Sequence, residues 1–487
     1  MSTFEVHDPA TGEVVGTYPI HEAADVEAAV RRARGAAAFW SALSFEERAA
    51  RLDRWRGVIA RRAAQLAGVM HVEMGKPHAD ATLEIALTLE HLAWAAKNAK
   101  KVLGPRSVPT GLFMANHAAT VEYLPLGVVG VIGPWNYPVF TPMGSIAYAL
   151  AAGNAVVFKP SEYTPATGAW LADSFAQVVP EHPVLQVVTG LGGTGAALCR
   201  AGVDKLAFTG SPGTGRKVMA ACAENLVPVI IEAGGKDALL VDLDADLDEA
   251  AEAAVWGGMA NAGQTCIGVE RVYVHERVYD AFVSKVIDRA KRVRAGSDAG
   301  AQIGPIAMPS QVDIIRRHIE GALERGAKAV VGGKDAISGS FVQPTVLVDV
   351  PEDCAAVREE TFGPTLTVAK VRDMDEAVNL ANGTRYGLGA TVFSKRRGLD
   401  LARRIRSGMA AVNAVISYAG MPALPFGGVA ESGFGRIHGP DGLREFTYAK
   451  AIARQRFKPP LALLTFARTA KSDALVAKII ALTHGGK

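Results

Sequence analysis

Cys266 is the residue best suited to covalent chemistry. It sits in Gly263-Gln264-Thr265-Cys266-Ile267-Gly268, after a helical stretch and in a glycine-flanked bend that can present its sulfur to a cleft. The commoner fate of such a cysteine is a buried, inert thiol, so the residue gains meaning only in company. Glu232 closes the apolar run Val229-Ile230-Ile231 and precedes Ala233-Gly234-Gly235-Lys236. A carboxylate at that point lies on the sheet edge where α/β enzymes bind ligands, unless it is an ordinary surface Glu at a turn. Asn136 lies in Pro134-Trp135-Asn136-Tyr137-Pro138, between two prolines and two aromatics. Such packing would hold its amide rigidly, as an oxyanion donor requires; a plain turn Asn is the alternative.

Two glycine patterns compete for a nucleotide. Gly190-Leu191-Gly192-Gly193-Thr194-Gly195 is a literal G-x-G-x-x-G. No acidic residue follows at the end of the next strand to take a ribose, so it reads as a tight strand–helix turn rather than a dinucleotide fingerprint. Phe208-Thr209-Gly210-Ser211-Pro212-Gly213-Thr214-Gly215 follows a strand and opens a helix. Backbone N–H groups at such a helix start suit a pyrophosphate, although many strand–helix turns bind nothing. Lys159-Pro160-Ser161-Glu162 also follows a strand, and its Lys and Glu could hold ribose hydroxyls or remain a solvated pair.

The elements that must position these residues follow from periodicity. Residues 21–67 and 79–99 read as helical, and 119–123 and 127–132 as strands. Strand candidates at 155–158, 185–189, 205–209 and 227–232 then alternate with helical patterns at 142–152, 165–178, 194–201 and 215–224. A second run has strands at 238–240 and 271–275 and helices at 247–262 and 278–293. This alternation predicts two doubly wound α/β units in tandem.

Composition narrows the partners. The 487 residues are 49% hydrophobic and 21% charged, which excludes a disordered chain or a disulfide-stapled mini-protein. A net charge of +3 without a basic block gives no support for nucleic-acid binding and favours a small ligand. Cys199, Cys222, Cys266 and Cys354 form no CxxC pair or zinc-type cluster, so no metal site is expected. The start of the chain lacks the pattern of a signal peptide, and no apolar run is long enough to span a bilayer. A reducing cytoplasm is the expected compartment.

Taken in order, Asn136, Lys159 with Glu162, the Gly210–Gly215 turn, Glu232, Cys266, Glu359-Glu360-Thr361-Phe362-Gly363-Pro364 and Leu424-Pro425-Phe426-Gly427-Gly428 resemble the NAD(P)-dependent aldehyde dehydrogenase superfamily. The resemblance runs from about Asp8 to Lys450. It implies an NAD-binding domain from 1–118 and 128–233 and a catalytic domain at 234–445. It also implies small oligomerisation strands at 119–127 and 446–458. It implies Cys266 as nucleophile, Glu232 as general base, and Asn136 with the Cys266 backbone N–H as oxyanion hole. Lys159 and Glu162 match adenine-ribose contacts, Gly210 and Ser211 the pyrophosphate turn, and Glu360 and Phe362 the residues that place the nicotinamide ribose and ring. Pro134, Trp135, Gly215, Ala233 and Gly234 are expected to border the same cofactor, NAD with NADP as a possible substitute.

The implied reaction is NAD-dependent oxidation of an aldehyde to the carboxylic acid through a cysteine thiohemiacetal and thioester. Val412-Asn413-Ala414-Val415-Ile416-Ser417-Tyr418 resembles the branch that oxidises fatty and aromatic aldehydes, except that His usually stands where Tyr418 does, which points to an altered substrate mouth. Ala233 replaces the usual Leu beside the base. Alternative readings are a succinate-semialdehyde-type enzyme, a CoA-acylating variant, which usually lacks the base, a thiol hydrolase and a non-catalytic binding homologue. The family pattern also implies a homodimer or homotetramer, in which a strand pair near 119–127 meets a C-terminal strand of the partner subunit.

The tail, residues 459–487, departs from what precedes it. Leu461, Leu463, Leu464 and Phe466, then Leu475, Val476, Ile479, Ile480 and Leu482, accompany mostly basic charges. The expected fate is an amphipathic helix docked on the body or on a partner subunit; peripheral contact with an anionic membrane is the alternative.

Overall fold

The computed structural model describes residues 2–458 and 464–486. Residues 459–463, which include Leu461 and Leu463 of the tail, lie outside the described residues. The chain forms two compact units, one of Met1–Val102 with Pro125–Thr447 and one of Leu103–Leu124 with Tyr448–Lys487.

The larger unit carries two α/β sheets. The first has its strands in the order Gly433–Phe434, Val229–Ala233, Lys205–Gly210, Val128–Ile132, Ala155–Lys159 and Leu185–Val187. All pairs are parallel except that of Gly433–Phe434 with Val229–Ala233. Helices cover the faces, so a central strand such as Ala155–Lys159 is buried at every position and reads as an apolar run closed by one lysine. Starting from Val128–Ile132, the chain adds strands on one side and then crosses to add Lys205–Gly210 and Val229–Ala233 on the other. The order reverses between Val128–Ile132 and Lys205–Gly210, which leaves a crevice beyond their carboxyl ends.

The second sheet runs Lys328–Val331, Thr345–Val348, Thr365–Val371, Val269–His275, Asp237–Val241, Ala390–Phe393 and Ala411–Val412. Its pairs are parallel apart from the first. The chain leaves the first sheet at Ala233 and enters the second at Asp237, then returns at Gly433 to extend the first sheet at its edge. Sequence periodicity does not reveal that return, because a two-residue strand carries no pattern.

Several predicted boundaries shift for local reasons. The helical region 21–67 is three helices, Ala23–Ala42, Phe45–Arg61 and Ala63–Met74. Ser44 and Glu47 form a reciprocal capping box that restarts the second of them. The helix predicted at 247–262 stops at Met259, because Asn261, Ala262 and Gly263 take φ of 54°, 58° and 72°.

The smaller unit holds a three-stranded sheet with the order Thr447–Gln455, His117–Pro125, Arg106–Val108. The expected partner of the 119–127 strand was a neighbouring subunit. Here the C-terminal strand of the same chain pairs with it, and the remaining strand, Arg106–Val108, is antiparallel on the other side. Thr447–Gln455 is exposed at all but its first position. The tail forms the helix Ala470–His484, started by a Thr469–Ser472 capping box. No residue of this helix is buried. No described helix is long and apolar enough to cross a membrane.

Candidate active site

Cys266 is presented by a backbone that only certain residues tolerate. Asp246 caps the preceding helix, accepting from the Asp248 and Glu249 N–H groups, and the left-handed Asn261-Ala262-Gly263 turn then ends it. A Cβ on Gly263 would lie 2.0 Å from the Gly363 carbonyl oxygen, so the close approach requires glycine. Left-handed Ala262 is strain of the kind that clusters at functional sites. Burial pushes the Cys266 thiol up, and Glu232, Glu360 and Asp237 push it further. Another group must therefore take its proton.

Glu232 ends the strand Val229–Ala233 and is buried. Thr209 Oγ1 donates to its Oε2 at 3.3 Å, while Oε1 has no hydrogen-bond partner. Burial raises its carboxyl to about 8, opposed by the Thr209 bond and by Arg436. Such a carboxyl exchanges protons near neutrality, as a general base must. Asn136 is also buried, and its Nδ2 donates to the Gln264 carbonyl at 2.9 Å. An amide nitrogen carries two N–H groups, so one remains for a ligand.

Two cavities converge on this site. The larger, about 710 Å³, occupies the crevice where the first sheet reverses its strand order. Pro134, Trp135, Asn136, Lys159, Glu162, Gly210, Ser211, Ala233, Gly234, Cys266, Glu360 and Phe362 all line it. Ser211 caps the helix Pro212–Ala223 by accepting from the Thr214 N–H, so that helix opens its amino end toward the cavity. Gly215 does not line the cavity; its absent side chain lets the helix sit against Ile231, 3.1 Å from where a Cβ would be. Lys159 Nζ donates to the Pro160 carbonyl at 2.9 Å and stands 3.9 Å from Glu162. Glu360 accepts from the Gly235 N–H at 3.0 Å, and its carboxyl is pushed up to about 8 by burial and then by Glu270. A Cβ on Gly234 would fall 2.2 Å from that carboxylate. Left-handed Phe362 packs edge-on to Trp135 with ring centroids 5.6 Å apart.

The smaller cavity, about 100 Å³, reaches Cys266 from the other side. Thr209, Ala233 and Cys266 line both cavities, while Glu232 lines the smaller. Its walls are mostly apolar, with Leu87, Phe140, Trp256, Ile416 and Phe426 among them. The charged residues in the wall are Asp80, Glu84 and Glu232, all acidic.

Sequence reasoning missed several of these positions. Gly192 and Gly195, set aside as a bare turn, line the larger cavity at the start of the helix Gly192–Arg200, together with Lys217 of the next helix. The literal glycine pattern was the available signal. The acidic walls Asp80 and Glu84 gave none, lying in an ordinary helical stretch. Tyr418, expected to alter the substrate mouth, does not line the smaller cavity. It is buried, and its hydroxyl and the Asp237 carboxylate both press on the space above Gly389.

Known proteins are similar to this chain over most of its length. A sequence profile described as the aldehyde dehydrogenase family matches residues 1–452. The 4,4'-diapolycopene aldehyde oxidase of Methylomonas sp is 38% identical over 464 residues, covering 94% of this chain and 87% of that protein. A glutarate-semialdehyde dehydrogenase of Pseudomonas putida is 36% identical over 461 residues, covering 92% and 94%. The crystal structure of an NAD-dependent aldehyde dehydrogenase from Sinorhizobium meliloti superposes with a TM-score of 0.90 at 35% identity, covering 95% of this chain and 93% of that one.

Proposed function

The chain belongs to the aldehyde dehydrogenase family and is an aldehyde dehydrogenase that uses NAD or NADP, and we propose that Cys266, Glu232 and Asn136 carry its reaction on an apolar aldehyde. The observation behind this reading is that Cys266 stands where a large cavity and a small apolar cavity meet. Such a seam lets one sulfur face a cofactor and a substrate at once.

The larger cavity fits a dinucleotide. It lies at a strand-order reversal, a helix amino end opens toward it, and glycine at 234 leaves room beside the Glu360 carboxylate. Gly210 and Ser211 would hold the pyrophosphate, Lys159 and Glu162 the adenine ribose, and Glu360 and Phe362 the nicotinamide end. Pro134, Trp135, Ala233 and Gly234 would form its walls, with Gly215 keeping the helix close. Of the expected 1–118 and 128–233, residues 103–118 go to the smaller unit instead; 1–102 and 128–233, joined by the returning edge strand, then make the cofactor domain, and 234–445 supplies the nucleophile. Bound nicotinamide supplies one thing, an acceptor for the hydride that the aldehyde carbon gives up.

The chain's own residues do the rest. The Cys266 thiol gives its proton to a base and its sulfur adds to the carbonyl carbon. The resulting oxyanion takes the free Asn136 N–H and the Cys266 backbone N–H. After the carbon has lost hydride, a thioester remains on Cys266. Glu232, as the carboxylate, removes a proton from water, which attacks the thioester and releases the acid.

The wall of the smaller cavity favours an uncharged aliphatic or aromatic aldehyde over a semialdehyde. A far carboxylate would meet no Lys or Arg among the described lining residues and would find Asp80 in the wall, while the Glu84 carboxylate is already neutralised by Lys76. Leaving a buried charge unpaired is costly. Following NADH absorbance with decanal, benzaldehyde and succinate semialdehyde tests this. An advantage in kcat/KM of about 100-fold or more for the apolar aldehydes is expected; equal values would overturn the substrate class and leave the dehydrogenase assignment standing.

The exposed strand Thr447–Gln455, with Tyr448 and Ile452 uncovered, supports assembly of two or more copies through the sheet of the 119–127 and 446–458 strands, with 446–458 as the joining edge because 119–127 is paired on both sides. Light scattering that returns a concentration-independent monomer would refute it. The uncovered face of Ala470–His484, with Leu475, Ile480 and Leu482 exposed, is assigned to a partner subunit in the same assembly, with an anionic membrane surface as the competing occupant. Free thiols at all four cysteines suit the cytoplasm.

A further inference from the structure

Lys76 and Glu84 form an ion pair whose side chains are wholly buried, 2.5 Å apart, and the reaction as described does not use either. Lys76 lies in the turn Gly75-Lys76-Pro77 between the helices Ala63–Met74 and His78–Leu103, and Glu84 lies in the second helix. A buried pair of this kind is weak evidence for stability, because an apolar pair of similar volume often serves as well. What distinguishes the pair is where its remaining hydrogen bonds go.

Those of the two side chains reach the Asn136 loop and the helix start that follows it. Lys76 Nζ donates to the Asn136 carbonyl at 2.7 Å and sits 4.0 Å over the Tyr137 ring. Glu84 Oε1 accepts from the Val139 and Phe140 N–H groups, both at 2.9 Å, at the start of the helix Phe140–Ala152. A carboxylate there also complements the positive helix end. From the opposite side, Asn261 Nδ2 donates to the same Asn136 carbonyl at 3.0 Å and to the Gln264 carbonyl at 3.2 Å. The Asn136 amide donates to that Gln264 carbonyl, and the Tyr137 hydroxyl bonds Thr265 Oγ1 at 3.0 Å. One continuous network therefore runs from Lys76 and Glu84 through Asn136 to the two residues before Cys266.

We propose that Lys76 and Glu84 are positioning residues for the reaction: they fix the peptide of Asn136, and hence its amide, relative to the Cys266 sulfur. The proposal rests on the assignment of Asn136 as oxyanion donor. An oxyanion donor acts only when held close to its productive geometry, and a rigid charged clamp supplies that where a turn alone would not.

A double-mutant cycle with Lys76→Met, Asn136→Ala and the pair tests it, read in kcat, in KM for NAD and in the rate of the NADH burst. Lys76→Met should lower kcat and the burst rate by about 100-fold, the scale expected for misplacing a catalytic group by an ångström, with KM for NAD within about twofold of wild type. In the Asn136→Ala background the same change should cost less than about threefold, because coupled residues are not additive. Asn261→Gly keeps the left-handed backbone while removing the other clamp on the Asn136 carbonyl, and should show the same coupling if Lys76→Met fails to fold. Loss of activity in Asn136→Ala with additive effects, or with full kcat in Lys76→Met and Asn261→Gly, would overturn the clamp alone. Full activity of Asn136→Ala would overturn the oxyanion assignment and the clamp with it.

Discussion

The two cavities that meet at Cys266 are built in different ways. The larger is shaped chiefly by backbone: a strand-order reversal, the start of the helix Pro212–Ala223, and glycines at 192, 195, 210 and 234 that leave space. The smaller is shaped by side chains gathered from separate segments, among them Leu87, Phe140, Trp256, Ile416 and Phe426. A backbone cradle recognises what all its ligands share, such as a phosphate or a ribose. A side-chain wall can change its preference without moving the backbone. The seam between them is therefore where a cofactor and a substrate would have to agree in position, and it is where burial and the acids Glu232, Glu360 and Asp237 push one thiol up.

Removing the seam should have the largest effect. Cys266→Ala is expected to lower steady-state turnover by about 10⁴-fold or more, the scale seen when a nucleophile is deleted. NAD binding, followed by calorimetry, should stay within about twofold of wild type. Substantial turnover in this variant would mean that the cavities meet at the wrong residue.

Glu232→Gln comes next and separates the two halves of the chemistry. A burst of NADH close to one per active site should survive, followed by turnover reduced about 10²–10⁴-fold. If the burst disappears as well, Glu232 also takes the thiol proton. The pH dependence has a definite sign. A base acts as the carboxylate, and burial holds this carboxyl at about 8, so most of it is protonated at neutrality. Thioester hydrolysis in the wild type should rise about tenfold per pH unit below 8 and level off above it. A profile flat from pH 6 to 9 would contradict that environment.

Gly234→Ala sharpens the contrast between the walls. Its Cβ would fall 2.2 Å from both Glu360 carboxylate oxygens, so the carboxylate must move. KM for NAD should rise on the order of tenfold while KM for the aldehyde changes little. An effect on aldehyde KM alone would show that the cavities are not independent.

The smallest expected effect concerns Glu162, a partly exposed carboxylate 3.9 Å from Lys159. A carboxylate accepts from a ribose 2′-hydroxyl and repels a 2′-phosphate, so NAD should be preferred to NADP. Glu162→Gln should narrow the ratio of kcat/KM values a few-fold, since an exposed charge is screened. Equal use of both cofactors by the wild type would show that Lys217, which lines the same cavity, outweighs Glu162.

The two cavities also differ in how far they could be read from the chain. The cavity-lining strand ends at Lys159, Gly210 and Glu232 are legible because each follows an apolar run and is marked by a glycine, proline or charge. The elements flanking them were placed within a few residues for the same reason. The left-handed turn at Asn261-Ala262-Gly263 was partly hidden, because a helical pattern continues through Ala262 and only the Gly363 carbonyl at close quarters explains Gly263. Tyr418 stands where the motif of the resembling branch has His, but only packing shows that it is buried beside Gly389 and Asp237.

The sequence by itself determined the α/β alternation, the order of the motif residues and the identity of the groups able to do chemistry, since each depends on neighbours within about a dozen residues. Only the tertiary structure decided that Glu84 and Asp80 would wall the apolar cavity and that burial would lift Glu232 to about 8. It also decided that Lys76 would reach the Asn136 carbonyl across 60 residues of chain. Burial, wall composition and a clamp between distant segments are sums over contacts that no local pattern encodes, because packing rather than spacing brings those groups together.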